Sequence, residues 1–246
     1  MNKKFPYYTF YGVVFIFVIW LIASDIINNA FVLPSIKLVF TSLFDLLKEK
    51  GAYVVLFATI LRLLVTVVMS FLIALLLASL AVVSKRFAQF IRPLIILLKT
   101  IPVASIIIIL LIIVGHERSP LFITALVVLP ILYEGILGGM HTIDKTIIEE
   151  IKMISNINHH IVRQIFIPLV FPAMITALIQ SIGLGLKVMV MSEFIAQPNH
   201  SIGKMILIEK QHLEMARVFA WTLLIIVIIM AIEWLIYRIK KHFVML

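Results

Sequence analysis

A chain of 246 residues that is 63% hydrophobic and 13% charged, with a mean hydropathy of +1.18, holds more apolar surface than a water-soluble domain of its size can bury. Such domains are roughly 45–50% apolar and about 25% charged, so the solvent of this chain is lipid. The lack of cysteine excludes disulfides and thiolate chemistry, and the net charge of +9 comes from cations scattered between apolar runs, which suits lipid head groups rather than nucleic acid.

Met1-Asn2-Lys3-Lys4 precedes an apolar run from Tyr7 to about Ile27. About 20 residues suffice to cross a bilayer, and no Ala-x-Ala site follows, so the run is expected to be a retained first span. Residues 28–53 are expected to leave the membrane. Within them Leu33-Pro34-Ser35, followed by Ile36, Val39, Phe40, Leu43 and Leu46-Leu47, predicts a capped amphipathic helix on the outer interface.

A second span over 54–83 is longer than the bilayer requires, which predicts tilt or protrusion. Arg62 lies near its outer end. Ser84-Lys85-Arg86 through Arg92-Pro93 reads as a short polar turn. A third span over 94–114 is broken early by Lys99-Thr100-Ile101-Pro102, where proline demands help from neighbouring helices.

After an outer turn at 115–120 comes a fourth span, 121–140, carrying Pro130 and Glu134. Its Gly135, Gly138 and Gly139, like Gly183 and Gly185 further on, allow close approach of another helix, in this chain or in a second one. A fifth span covers 170–195 and contains Lys187 and Glu193. An outer loop, Gln197–Gly203, an external segment over 204–216 and a sixth span over 217–237 complete the chain.

The longest polar interruption of the second half runs from Glu149 to Pro172, and most of it falls in a loop spanning 141–168. Ile147, Ile151, Ile154, Ile157, Ile161 and Ile165 recur three or four residues apart, which puts them on one side of a helix. Ser155-Asn156-Ile157-Asn158 reads as a turn between two short helices, with Asn158 able to cap the second. Pro168 suits the first turn of the next helix. The inner segments would hold Lys3, Lys4, Lys85, Arg86, Arg92, Lys145, Lys152, Arg163, Arg238, Lys240 and Lys241. The outer ones would hold fewer cations: Lys37, Lys48, Lys50, Arg118, Lys204, Lys210 and Arg217. That asymmetry places both termini and the 141–168 loop in the cytoplasm.

This loop resembles the coupling loop of the membrane permease subunits of ABC importers. Glu149 stands at that pattern's Glu, Ser155 at its Gly and Ile167-Pro168 at its closing hydrophobic-Pro pair; Glu150 and Ile151 stand where it has Ala. The Leu33-Pro34-Ser35 opening resembles the nitrate, sulfonate and taurine branch, and Glu193 and Gly203 resemble the family's acidic residue and small-residue-Gly signature. The resemblance implies an all-α membrane protein with the type I ABC importer permease fold: six transmembrane helices, both termini cytoplasmic, in a bacterial inner or cytoplasmic membrane. It implies a non-catalytic subunit without a cofactor of its own, ATP being bound by a cytoplasmic ABC ATPase dimer. The other implied partners are an extracytoplasmic solute-binding protein and a second permease chain, expected as a homodimer, around a route for a small, often anionic solute. Glu149, Ser155, Asn156, Ile157, Asn158, His159, Arg163 and Pro168 are then the expected ATPase-coupling residues.

Charges within spans usually face a pathway or a partner. Arg62 and Glu233 lie near span ends, where they could snorkel, as could Lys99. Glu134 and Lys187 are deeper, and either pair with each other or line the pathway. Glu193, near the outer mouth, reads as a gate residue or a contact for the binding protein. His159-His160 is a poor metal site, since neighbours on a helix diverge. No Walker-type phosphate loop is present. An ion-coupled secondary transporter or channel is the alternative; such proteins often show inverted repeats, and none is visible.

Overall fold

The computed structural model describes residues 7–143 and 167–244, and every regular element in them is helical: α1 (Tyr7–Ile27), α2 (Ile36–Lys48), α3 (Lys50–Val83), α4 (Lys85–Thr100), α5 (Val103–Val114), α6 (Ser119–His141), α7 (Ile167–Ala196), α8 (Ile202–Gln211) and α9 (Met215–Val244). Five of these are long and apolar enough to cross a membrane, and the bent pair α4–α5 makes a sixth if counted as one span. Contacts divide the chain into two compact units, Met1–Val55 with Met205–Val227, and Leu56–Lys204 with Ile228–Leu246.

In the first unit, Ser35 caps α2 by accepting from the Leu38 N–H at 3.4 Å, as the Leu-Pro-Ser opening predicts. The Trp20 indole donates to the Pro34 carbonyl at 3.1 Å, and its ring lies 5.5 Å from that of Phe219. Arg217 forks onto both carboxylate oxygens of Glu49, at 2.9 and 3.0 Å, and reaches Glu209 at 2.8 Å. Two carboxylates on one guanidinium tie the start of α9 to α8 and to the α2–α3 junction.

The second unit is built on α6 and α7. They pack closely because glycine on one faces alanine on the other: a Cβ at Gly135 would strike Ala177, and one at Gly139 would strike Ala173. Gly185 of α7 similarly faces Val128, Thr124 and Leu63. The glycines expected to admit another helix thus serve contacts inside this chain. Gly138 is the exception, with nothing within 4 Å of its would-be Cβ. A core of Ile106, Ile107, Ile123 and Val188 joins α5 to α6 and α7.

The third span departs from expectation. Residues 85–93 are helix rather than turn, because Ser84 caps α4 through the Phe87 N–H at 3.3 Å and Ile91 and Ile95, one turn apart, are buried. The break then falls at Ile101–Pro102, where the chain bends by 100° into α5. Pro102 has no N–H and sits at the N-cap of α5, so the α4 hydrogen-bond ladder stops there. Gly115, at φ 78°, ends α5.

Candidate functional site

Of the expected coupling residues, Glu149, Ser155, Asn156, Ile157, Asn158, His159 and Arg163 lie outside the described residues. Pro168 stands in the first turn of α7, where the absent N–H needs no partner.

From there α7 presents a face of unusual polarity for a span. Thr176, Gln180, Leu184, Lys187 and Met191 are all exposed, and their spacing of three or four residues sets them in one line. Beside the Thr176 end of that line is a groove of about 370 Å³, lined by Gly135 of α6 and by Pro172, Ala173, Thr176, Ala177 and Gln180 of α7. Glycine at 135 and alanines at 173 and 177 leave that space open. Lys187 has no hydrogen bond or ion pair among the described residues.

Glu134 precedes Gly135 at the groove, and its carboxylate takes both of its oxygens to Lys99 Nζ, at 2.9 and 2.8 Å. Of the alternatives the sequence left open, the structure shows Glu134 paired with Lys99 and not with Lys187. Both side chains remain about half exposed, 48% and 49%, so the pair crosses from the end of α4 to α6 on an open surface.

The far end of α7 holds a second polar group, of opposite character. Glu193 is wholly buried. The Thr59 hydroxyl lies 3.0 Å from both of its oxygens, Arg62 donates to it at 3.1 Å and the Gly203 N–H approaches at 3.4 Å. Arg62, expected to snorkel, instead also donates to the carbonyls of Asn199 at 2.7 Å and His200 at 3.1 Å. Its second nitrogen stands 3.7 Å from Glu117, which accepts from the Asn199 N–H at 2.9 Å.

The loop 197–203 is therefore clamped to α3, to α7 and to the turn before α6. Its two left-handed residues, Gln197 (φ 54°) and His200 (φ 48°), are conformations that these contacts hold in place. Glu193 offers no surface for a binding protein to touch; its carboxylate organises the loop from beneath. Thr59, Glu117, Asn199 and Ser201 are partners that the sequence did not single out. Glu233 lies with its carboxylate over Gly183, in the space that a Cβ there would enter. Among the described residues no group of His, Asp or Glu could hold a metal ion.

These features define a polytopic helical membrane protein with a polar span face and no catalytic constellation among the described residues. Residues 70–244, well over half of the chain, match the family described as the binding-protein-dependent transport system inner membrane component. The chain belongs to that family: it is a permease subunit of an ABC importer, with the helical fold of the type I permeases, resident in the membrane. Members of this family work with an ATPase and a solute-binding protein. Comparison with curated proteins finds no match.

Proposed function

We propose that this permease forms one half of the route for a small anionic solute of the nitrate, sulfonate or taurine kind, and that the exposed face of α7 lines it. The observation that carries this reading is Lys187: an in-span cation, exposed, in line with Thr176 and Gln180. A lone charge at such a depth costs on the order of 2.5–3.5 kcal/mol on insertion scales. It is tolerable where water and a counter-charge reach it, and a wetted route with a passing anion supplies them.

A second permease chain, most simply an identical one, closes the route. A pair of cytoplasmic ATPase chains grips the 141–168 loop, and both termini lie on that side. The loop joins α6 to α7, so a push on it reaches the helix that carries Lys187. The binding protein docks at the opposite end, where the loop 197–203 is clamped. Closure of the ATPases on ATP then exchanges the inward-facing and outward-facing states, a two-state element biased by ligand.

The test is uptake of radiolabelled solute into proteoliposomes holding the assembled transporter and its binding protein. Lys187→Met and Lys187→Gln are expected to lower uptake at least about tenfold, the worth of one charge-assisted contact, while the complex assembles normally. Unchanged uptake, or loss of assembly together with uptake, would remove Lys187 from the pathway.

A further inference from the structure

We propose that α4 is an interfacial helix that seats this part of the permease on anionic lipid head groups. The helix carries Lys85, Arg86, Arg92 and Lys99 and no acidic residue. Around its axis the residues fall into three sides. One side, with Ile91 and Ile95, is buried. A second holds Lys85, Gln89 and Arg92, with Ile96 beyond them, all exposed. A third is apolar after Arg86 in the first turn, and yet uncovered, with Phe90 77%, Leu94 47% and Leu97 52% exposed. A helix that crosses a bilayer needs no cationic side, and a helix in water needs no uncovered apolar side. Protein on one side, acyl chains on another and charged head groups on the third describe a helix lying in the interface.

The position of α4 along the membrane normal agrees. Arg62 of α3 and Glu117, at the turn before α6, belong to the same clamped end, 3.7 Å apart. From there α3 descends about 31 Å to Val83, where α4 begins, at 1.5 Å per residue. From the same end α6 descends only about 22 Å to Glu134, which holds Lys99 near the end of α4. Thus α4 runs about 24 Å along its own axis while climbing roughly 9 Å, a shallow incline confined to one boundary of a hydrocarbon layer about 30 Å thick. The 100° bend into α5 is what such an incline requires.

Lys99 is engaged by Glu134, which leaves Lys85, Arg86 and Arg92 to face the head groups; none has an ion pair among the described residues. Cations so placed attract anionic phospholipid in preference to zwitterionic lipid. This seating depends only on residence in a bilayer, and is independent of the solute and of the residues that select it.

Phe90→Cys gives a unique labelling site, because the chain has no cysteine. The assembled transporter, labelled there with bimane, is reconstituted in equimolar phosphatidylcholine and phosphatidylglycerol. Fluorescence is then quenched with spin-labelled forms of each lipid in turn. Quenching by both lipids is expected, with an apparent association for phosphatidylglycerol roughly fivefold stronger, the worth of one well-placed cation. Lys85→Gln, Arg86→Gln and Arg92→Gln together should keep the quenching and abolish the preference. Equal quenching by the two lipids in the parent overturns the proposal whether or not that triple variant assembles. So does a preference that survives the three substitutions, or a label quenched by aqueous iodide and not by lipid, or by neither.

Discussion

Glu193 and Arg62 meet at 3.1 Å, the carboxylate fully shut away from solvent and the guanidinium 17% exposed. They come from helices far apart in sequence, and the same arginine holds the two carbonyls that shape the 197–203 loop. A charge buried this completely is tolerable only with its partner present. The pair therefore fastens the 197–203 loop to both α3 and α7.

Removing Arg62 leaves the Glu193 carboxylate buried without its counter-charge, at a cost of about 3–5 kcal/mol, whereas Arg62 without Glu193 keeps the Asn199 and His200 carbonyls and Glu117 and loses less. Arg62→Ala should lower the melting temperature of the purified protein sharply, Glu193→Ala by less, and the double variant by less than their sum. Arg62→Lys keeps the charge but loses the fork that reaches three acceptors, and should fall between. Strict additivity in calorimetry or scanning fluorimetry would mean that the two groups act independently.

Glycine positions separate cleanly. A Cβ at Gly203 would run into the backbone of α7 at Phe194, Val190 and Glu193, which cannot yield as a flexible side chain can. Gly203→Ala should sharply reduce the yield of folded protein. Gly138→Ala meets nothing within 4 Å, and alanine is favoured in a helix by about 0.5–1 kcal/mol. It should be neutral to slightly stabilising in the same melting assay, and a loss comparable to that of Gly203→Ala would contradict the α6 packing described.

Lys99 and Glu134 are bonded but half exposed, so their coupling should be modest, about 1 kcal/mol. Lys99→Met or Glu134→Gln alone strands a charge on an apolar surface. The two together strand none, and the double variant should be more stable than either single one. A double variant worse than both would show that each residue has work beyond the pair.

Single cysteines test sidedness. A membrane-impermeant maleimide should label Asn199→Cys, on the exposed part of its loop, only from outside, and His159→Cys only from inside. The reverse pattern would invert the orientation and remove the ATPase from reach of the 141–168 loop.

Long apolar runs made the helical spans legible from sequence, because a stretch that crosses lipid has little freedom in composition. The segment 84–93 was not legible as helix: its charges and Pro93 imitate a turn, and only the four-residue step from Phe87 to Ile91 to Ile95 betrays the periodicity. Individual in-span charges were visible, and their partners were not. Glu193 finds Arg62 across 131 positions, and Glu134 finds Lys99 across 35. No local rule selects Lys99 over Lys187 for Glu134; the bend at Pro102 does, by bringing the end of α4 to α6. The step from Thr59 to Arg62 to Thr66 along α3, one polar line on an apolar helix, was the sequence sign of the Glu193 cluster.

The most direct measurement is ATP hydrolysis by the assembled transporter in liposomes, with and without the binding protein. Asn156→Pro fixes φ and deletes an N–H where the sequence predicts a turn, and Glu149→Lys reverses the charge at the glutamate that resembles the family pattern's. Both variants should insert and assemble as the parent does, yet lose stimulation of hydrolysis by the binding protein, and solute uptake with it. If both retain the parent's stimulation while substitutions elsewhere abolish it, residues 141–168 do not couple this permease to an ATPase.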